Sequence, residues 1–227
     1  MKRFWKEVSV DGEGAIRLDD RPVRTPGRAP LALPATALAE AVAAEWRAVG
    51  ETLDPRAMPL TGLANAAIDR VVPDPTAFAA GMAAYAESDL FYYRADSPAE
   101  LIEREKAAWD PLLDWARDRY DVHFVTVSGL MHQPQPPATV ARLGTALANR
   151  PPFALVALQP IVTISGSLVG ALALAEGAID ADALWTAATI DETWQAEQWG
   201  EDPIAAEASA AKRRDFDAAV RFLHLLR

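Results

Sequence analysis

The chain has no cysteine. That excludes disulfides, thiolate nucleophiles and sulfur-based metal sites. Its only histidines are His123, His132 and His224, and no two stand four apart. A helical zinc pair therefore lacks its usual spacing, and structural or surface roles are expected for all three. No Gly-x-Ser-x-Gly element and no Gly-Lys-Thr phosphate loop occurs, so neither a nucleophile elbow nor a nucleotide cradle is encoded. Gly12-Glu13-Gly14 is only a fragment of a dinucleotide fingerprint, and a hairpin turn explains it more simply. Positive charge is also short: 22 Lys and Arg stand against 32 Asp and Glu. An acidic chain repels phosphate backbones, so nucleic acid is not an expected partner. The first thirty residues, with seven basic against five acidic side chains, are too weakly basic to reverse this. No cofactor, bound metal or small-molecule substrate is expected.

Long apolar runs are missing too, with one exception. Residues 153–175 carry no charge over 23 positions, enough to cross a bilayer. Gln159-Pro160 and Ser165-Gly166 interrupt this run. A proline costs a helix interior about 3 kcal/mol, and Ser-Gly favours a turn. Two buried helices, over residues 153–163 and 167–175, fit better than one span, so no stable membrane insertion is expected. A scaffold anchored through 153–175 is the alternative. The opening Met1-Lys2-Arg3-Phe4-Trp5-Lys6 lacks the apolar stretch of a secretory leader, and a bacterial cytoplasmic location is the expectation.

What is present, over 227 residues, reads as an α+β protein. A small antiparallel β-rich start precedes a larger, mainly helical body, with a working division into 1–56, β-rich with one helix, and 57–227, mainly helical. Strand formers around Val8 and Val10, the alternating Ala15-Ile16-Arg17-Leu18 and the short Pro22-Val23-Arg24-Thr25 are separated by turn clusters. Leu31-Ala32-Leu33 is a candidate fourth strand. Leu38, Val42, Trp46 and Val49 follow at helical spacing, and helices are expected over 59–71 and 76–87. Tyr92-Tyr93 and residues 122–127 read as strands. Ser97-Pro98-Ala99-Glu100 reads as a capping box, and Pro111 is expected to kink or divide the helix that follows. Asp180 and Asp202-Pro203 read as the starts of the last two helices.

Seven tryptophans alongside few catalytic groups point towards recognition. Trp46, Trp109 and Trp115 lie on apolar helical stripes and are assigned to the core. Trp185, Glu192 and Trp199 are spaced by seven and so share one face of the helix that Asp180 starts, while Ile190 and Trp194 occupy another. A carboxylate between two tryptophans needs a partner. Either Glu192 pairs with an arginine inside the fold, or it awaits a donor on another protein. The acids Asp191, Glu192, Glu197, Glu201 and Asp202 form the densest carboxylate group. A carboxylate-dependent hydrolase is therefore a competing reading, requiring a pocket that sets Asp191 or Glu192 beside a second acid of raised pKa.

Several segments together carry a resemblance: Arg3-Phe4-Trp5-Lys6, Leu18-Asp19-Asp20-Arg21-Pro22-Val23-Arg24-Thr25-Pro26, Ala41-Val42-Ala43-Ala44-Glu45-Trp46, Met58-Pro59-Leu60-Thr61-Gly62-Leu63-Ala64-Asn65-Ala66-Ala67-Ile68-Asp69, Trp109-Asp110-Pro111-Leu112-Leu113, Asp191-Glu192-Thr193-Trp194-Gln195 and Trp199-Gly200-Glu201-Asp202. In this order they resemble the F1-ATPase assembly chaperones of the Atp-twelve family, over nearly the whole chain. Asp20 stands where the family has glycine, and Gly62 and Ala66 also depart from its pattern. The resemblance implies a chaperone without enzymatic activity. Such a chaperone binds unassembled ATP synthase alpha subunit and covers its beta-facing surface until the beta subunit displaces it. The expected binding face is Glu192, Trp194, Glu197, Trp199, Glu201 and Asp202.

Overall fold

The computed structural model describes residues 2–129 and 131–227. It is α+β, with a small antiparallel sheet at the start and helices through most of the remainder. The chain forms two compact units. The first comprises Met1–Phe78, Pro151–Ala157 and Asp217–Arg227, and the second Ala79–Arg150 and Leu158–Phe216.

In the first unit, β1 (Val8–Val10), β2 (Ile16–Leu18) and β3 (Arg21–Pro22) form an antiparallel meander in that order. The β1–β2 turn depends on Gly14, whose φ is +77°. A Cβ there would lie 2.3 Å from the Leu33 carbonyl oxygen. Asp11 braces the same turn by accepting from the Glu13 and Ala15 amides, and these bonds hold its carboxyl below the usual range. Leu31-Ala32-Leu33 does not become a full strand. It contributes a single bridge, Ala15 to Ala32, because Pro30 and Pro34 flank it without amide donors. Helix α1 (Thr36–Ala48) buries Leu38, Val42 and Trp46, as their spacing predicts. The Glu45 carboxylate accepts from the Leu60 and Thr61 amides and the Thr61 hydroxyl, at 2.7–2.8 Å. It thereby caps the first turn of α2 (Pro59–Ala66). The single helix expected over 59–71 instead widens into a π turn at Ala67–Val71.

The second unit opens with α3 (Pro75–Ala83), which begins in the first, and a 3₁₀ turn at Ala84–Ala86. The expected strand 122–127 reduces to β5 (Val127–Ser128), which pairs in parallel with β4 (Tyr93–Arg94). Upstream of it, Val125 spends its amide and carbonyl on the Gln135 side chain rather than on a strand. Helix α4 (Ala99–Tyr120) runs through Pro111 undivided. Pro111 and Ala107 are both exposed, so the carbonyl that loses its partner can turn to water. The Ser97 capping box does not form: Pro98 holds the cap position without a side-chain bond, and Glu100 pairs with Arg104.

The uncharged run forms two helices, α6 (Pro152–Ser165) and α7 (Leu168–Glu176), after α5 (Pro137–Ala148). Among the described residues no helix is long and apolar enough to cross a membrane. Ser167 caps α7 through the Gly170 amide. Asp89, fully buried, accepts from the Phe91 and Val169 amides at 3.0 and 2.9 Å and fixes α7 to the Leu90–Tyr92 turn. Burial pushes its pKa up to about 6 against those bonds. Asp180 caps α8 (Ala181–Ala188) and Asp202 starts α10 (Pro203–His224), both as read from sequence.

Candidate functional site

The expected continuous helix carrying Trp185, Glu192 and Trp199 is two helices. Trp185 belongs to α8, and the other two to α9 (Ile190–Trp199). The Trp109 indole donates to the Ala187 carbonyl at 2.7 Å, taking the acceptor that Asp191 would need to continue the helix. Thr189 reinforces the break by donating its hydroxyl to the Trp185 carbonyl. The three side chains therefore do not form one stripe.

The six expected site residues separate by environment. Trp194 is buried beneath the Arg104 guanidinium, which lies 4.8 Å from its ring. Arg104 donates to Glu197 at 2.7 Å and to Glu100 at 3.0 Å. These bonds hold the guanidinium pKa up, clamp α9 against α4 and use Glu197 structurally. Asp202 accepts from the Ile204 amide as the cap of α10. Glu192 and Glu201 are exposed and have no ion pair among the described residues, so Glu192 does not pair with an internal arginine. Trp199 is 78% exposed and Ile204, across the Gly200 turn, is 79% exposed. The α9–α10 junction thus carries two large apolar side chains and the free carboxylate of Glu201, and the free Glu192 stands about two helical turns earlier on α9. Sequence reasoning missed Ile204, which the Asp202-Pro203 start signal places in the first turn of α10.

Beside this junction lies an open cleft of about 640 Å³, bounded by Trp199, Trp194, Asp191, Leu101, Arg94 and Glu105 among others. Glu105 is buried and accepts from the Ala95 amide at 2.9 Å. Burial, with Asp191 beside it, pushes its pKa up to about 7. Asp191 Oδ1 has no conventional donor, and a protonated Glu105 carboxyl supplies one. Arg94 pairs with Asp110 at 2.6 Å and lies over Trp109 at 4.9 Å. Its burial lowers its pKa, with Asp110 opposing. The pocket asked of a hydrolase is therefore met in part, since Asp191 does face a second acid of raised pKa. No group of His, Asp or Glu among the described residues is arranged to hold a metal ion. His132 bonds the Tyr93 hydroxyl at 3.0 Å, while His123 and His224 lie on the surface.

A family profile described as ATP12 chaperone protein matches residues 2–117. The chain belongs to the ATP12 chaperone family. It is similar over its whole length to Atp12 of Paracoccus denitrificans, whose crystal structure is 42% identical, is 98% covered and superposes at a TM-score of 0.94. A D202K mutant of that Atp12p is 43% identical, 98% covered and superposes at 0.95. The Atu1473 protein of Agrobacterium tumefaciens, a chaperone candidate, is 40% identical over all of this chain and 86% of its own, with a TM-score of 0.92. The family is a chaperone family of ATP synthase assembly. The span matched by the profile ends before α9, so the junction residues stand on their own geometry.

Proposed function

We propose that this chain binds unassembled F1 alpha subunit through the α9–α10 junction and covers its beta-facing surface until the beta subunit displaces it, performing no reaction. Membership of the ATP12 family supports the assembly role. The observation that carries the docking face is the exposure of Trp199 and Ile204 beside the unpaired Glu201, with the unpaired Glu192 about two turns earlier on α9. Tryptophan anchors dominate many protein interfaces, and flanking carboxylates steer and select a basic partner. Few anchors give moderate affinity, which suits a contact that must be surrendered. The similarity to proteins of Paracoccus and Agrobacterium supports a bacterial cytoplasmic setting.

Co-expression with alpha subunit alone tests this. Soluble alpha subunit in complex with the chain, released on adding beta subunit, is the expected result, and failure to recover any complex refutes it. Glu192→Lys should abolish capture while the free protein keeps its fold.

The Glu105–Asp191 pair is the observation favouring a hydrolase. Against it, Glu105 is taken up inside the fold, where it accepts from the Ala95 amide and faces Asp191 as a brace. Turnover of ester, glycoside or phosphoester substrates that Asp191→Asn eliminates would reinstate that reading.

A further inference from the structure

The first unit holds a separate cleft of about 400 Å³, whose walls include Arg24, Trp46, Met58, Gly62 and Asn65. These residues come from three of the sequence segments that carry the family resemblance, and all lie inside the matched span 2–117. Two tethers fix the walls. Asp69 accepts from the Thr25 hydroxyl at 2.6 Å and from the Gly27 amide at 2.8 Å, holding the Arg24–Gly27 turn. Gly27 is required there, because a Cβ would stand 2.6 Å from the Asp69 carboxylate. Glu45 holds the start of α2, as described above.

Within this rigid frame four features lack an internal explanation. The Trp46 indole nitrogen is a buried donor without an acceptor, although the side chain is only 8% exposed. The Asn65 Oδ1 is a buried acceptor without a donor. Buried polar groups are almost always paired, so an orphan donor and an orphan acceptor on two residues that line one cleft need an account. Arg24 bonds only the Arg28 carbonyl and has no carboxylate partner among the described residues. Gly62 lies in α2, where glycine is a poor helix former, yet its Cβ position is open with nothing within 4 Å. No close approach demands a glycine there, and the position lines the cleft.

We propose that this cleft is a second docking point, which takes an extended segment of the client polypeptide. A secondary amide supplies both missing partners at once: its carbonyl oxygen accepts from the Trp46 indole N–H, and its N–H donates to Asn65 Oδ1. Both atoms are covered in the free chain, so the segment engages them as the rim side chains part. An apolar side chain of the segment packs on Met58 and the Trp46 ring, and an acidic one meets Arg24. This basic rim is opposite in sign to the acidic α9 junction, so the two points select different stretches of one client. Two weak contacts in one chain reinforce each other, yet each can be released in turn. The inference rests on the proposed role for its client, the F1 alpha subunit.

The test compares binding of purified alpha subunit to the wild-type chain and to Gly62→Leu, which fills the cleft from an open position. A matched melting temperature shows that the variant folds. The inference predicts a loss in affinity of about tenfold or more for Gly62→Leu, the size of a hot-spot contact, and a smaller loss for Trp46→Phe. Wild-type affinity in a folded Gly62→Leu would overturn the cleft while leaving the α9–α10 reading intact. If the wild-type chain captures no alpha subunit, that reading fails, and the cleft is judged by titrating the acetylated tetrapeptide Glu-Leu-Asp-Leu amide. A shift of the Trp46 indole N–H resonance in the wild type but not in Gly62→Leu supports an amide-binding cleft, and an unmoved resonance refutes it.

Discussion

Replacing Glu105 by glutamine should make the protein more stable at neutral and alkaline pH. The wild-type carboxyl is buried, with Asp191 beside it, and its pKa rises from 4.5 to about 7. In the unfolded chain the same group has its ordinary pKa. Between those two values the folded state holds more protons than the unfolded state. Stability therefore falls as pH rises through that window, and the contribution is fully present only below the lower value. One pKa unit corresponds to about 1.4 kcal/mol, so the ceiling is about 3 kcal/mol. The adjoining cleft admits water, and screening reduces this to about 1–2 kcal/mol. Glutamine is an uncharged mimic of the protonated acid. Its carbonyl can keep the Ala95 amide bond and its NH₂ can donate to Asp191 Oδ1, which otherwise depends on the carboxyl proton. Urea denaturation of wild type and Glu105→Gln at pH 5 and pH 8 is the assay. The variant should lose most of the wild type's decline between the two and be the more stable protein at pH 8. Equal stability of the two proteins at pH 8, with parallel pH profiles, would show that Glu105 is ordinarily ionised and that the account of the pair is wrong.

Further outcomes are expected. Asp89→Asn removes one of two carboxylate oxygens that each accept a buried amide; a loss of about 1–3 kcal/mol by chemical denaturation is predicted, and an unchanged midpoint would contradict the bracing role. Gly14→Ala meets both a positive φ and the Leu33 carbonyl at 2.3 Å, so a loss of about 2–4 kcal/mol, read as a lowered melting temperature, should follow. Trp199→Ala should leave the melting temperature within a degree or two, because the side chain is 78% exposed. It should nevertheless weaken alpha-subunit binding by about tenfold or more, as measured by calorimetry.

The α+β layout was legible because apolar period and turn residues agree locally. Leu38, Val42 and Trp46 form the buried face of α1, and the Ser165-Gly166 turn divides the uncharged run into α6 and α7, while Pro160 stays inside α6. Failures arose where a distant side chain supplied the deciding bond. Trp109 lies 78 residues from the carbonyl that it takes at the end of α8, and no local pattern reveals that the seven-residue stripe is cut there. Gln135 likewise draws Val125 out of a strand from ten residues away. At the site, the acidic and aromatic content of α9 was readable, but the division of labour was not. Glu197 and Trp194 are taken up by Arg104, which leaves Trp199, Glu192 and the unforeseen Ile204 as the outward group. Glu105 was invisible for the same reason, since its burial beside Asp191 is a tertiary fact.

Hydrogen exchange of the chain with and without purified alpha subunit addresses the docking face most directly. Slowed exchange across α9 and the first turns of α10, residues 190–206, is the predicted result. A stable complex in which those amides exchange as in the free chain would show that the client is held elsewhere.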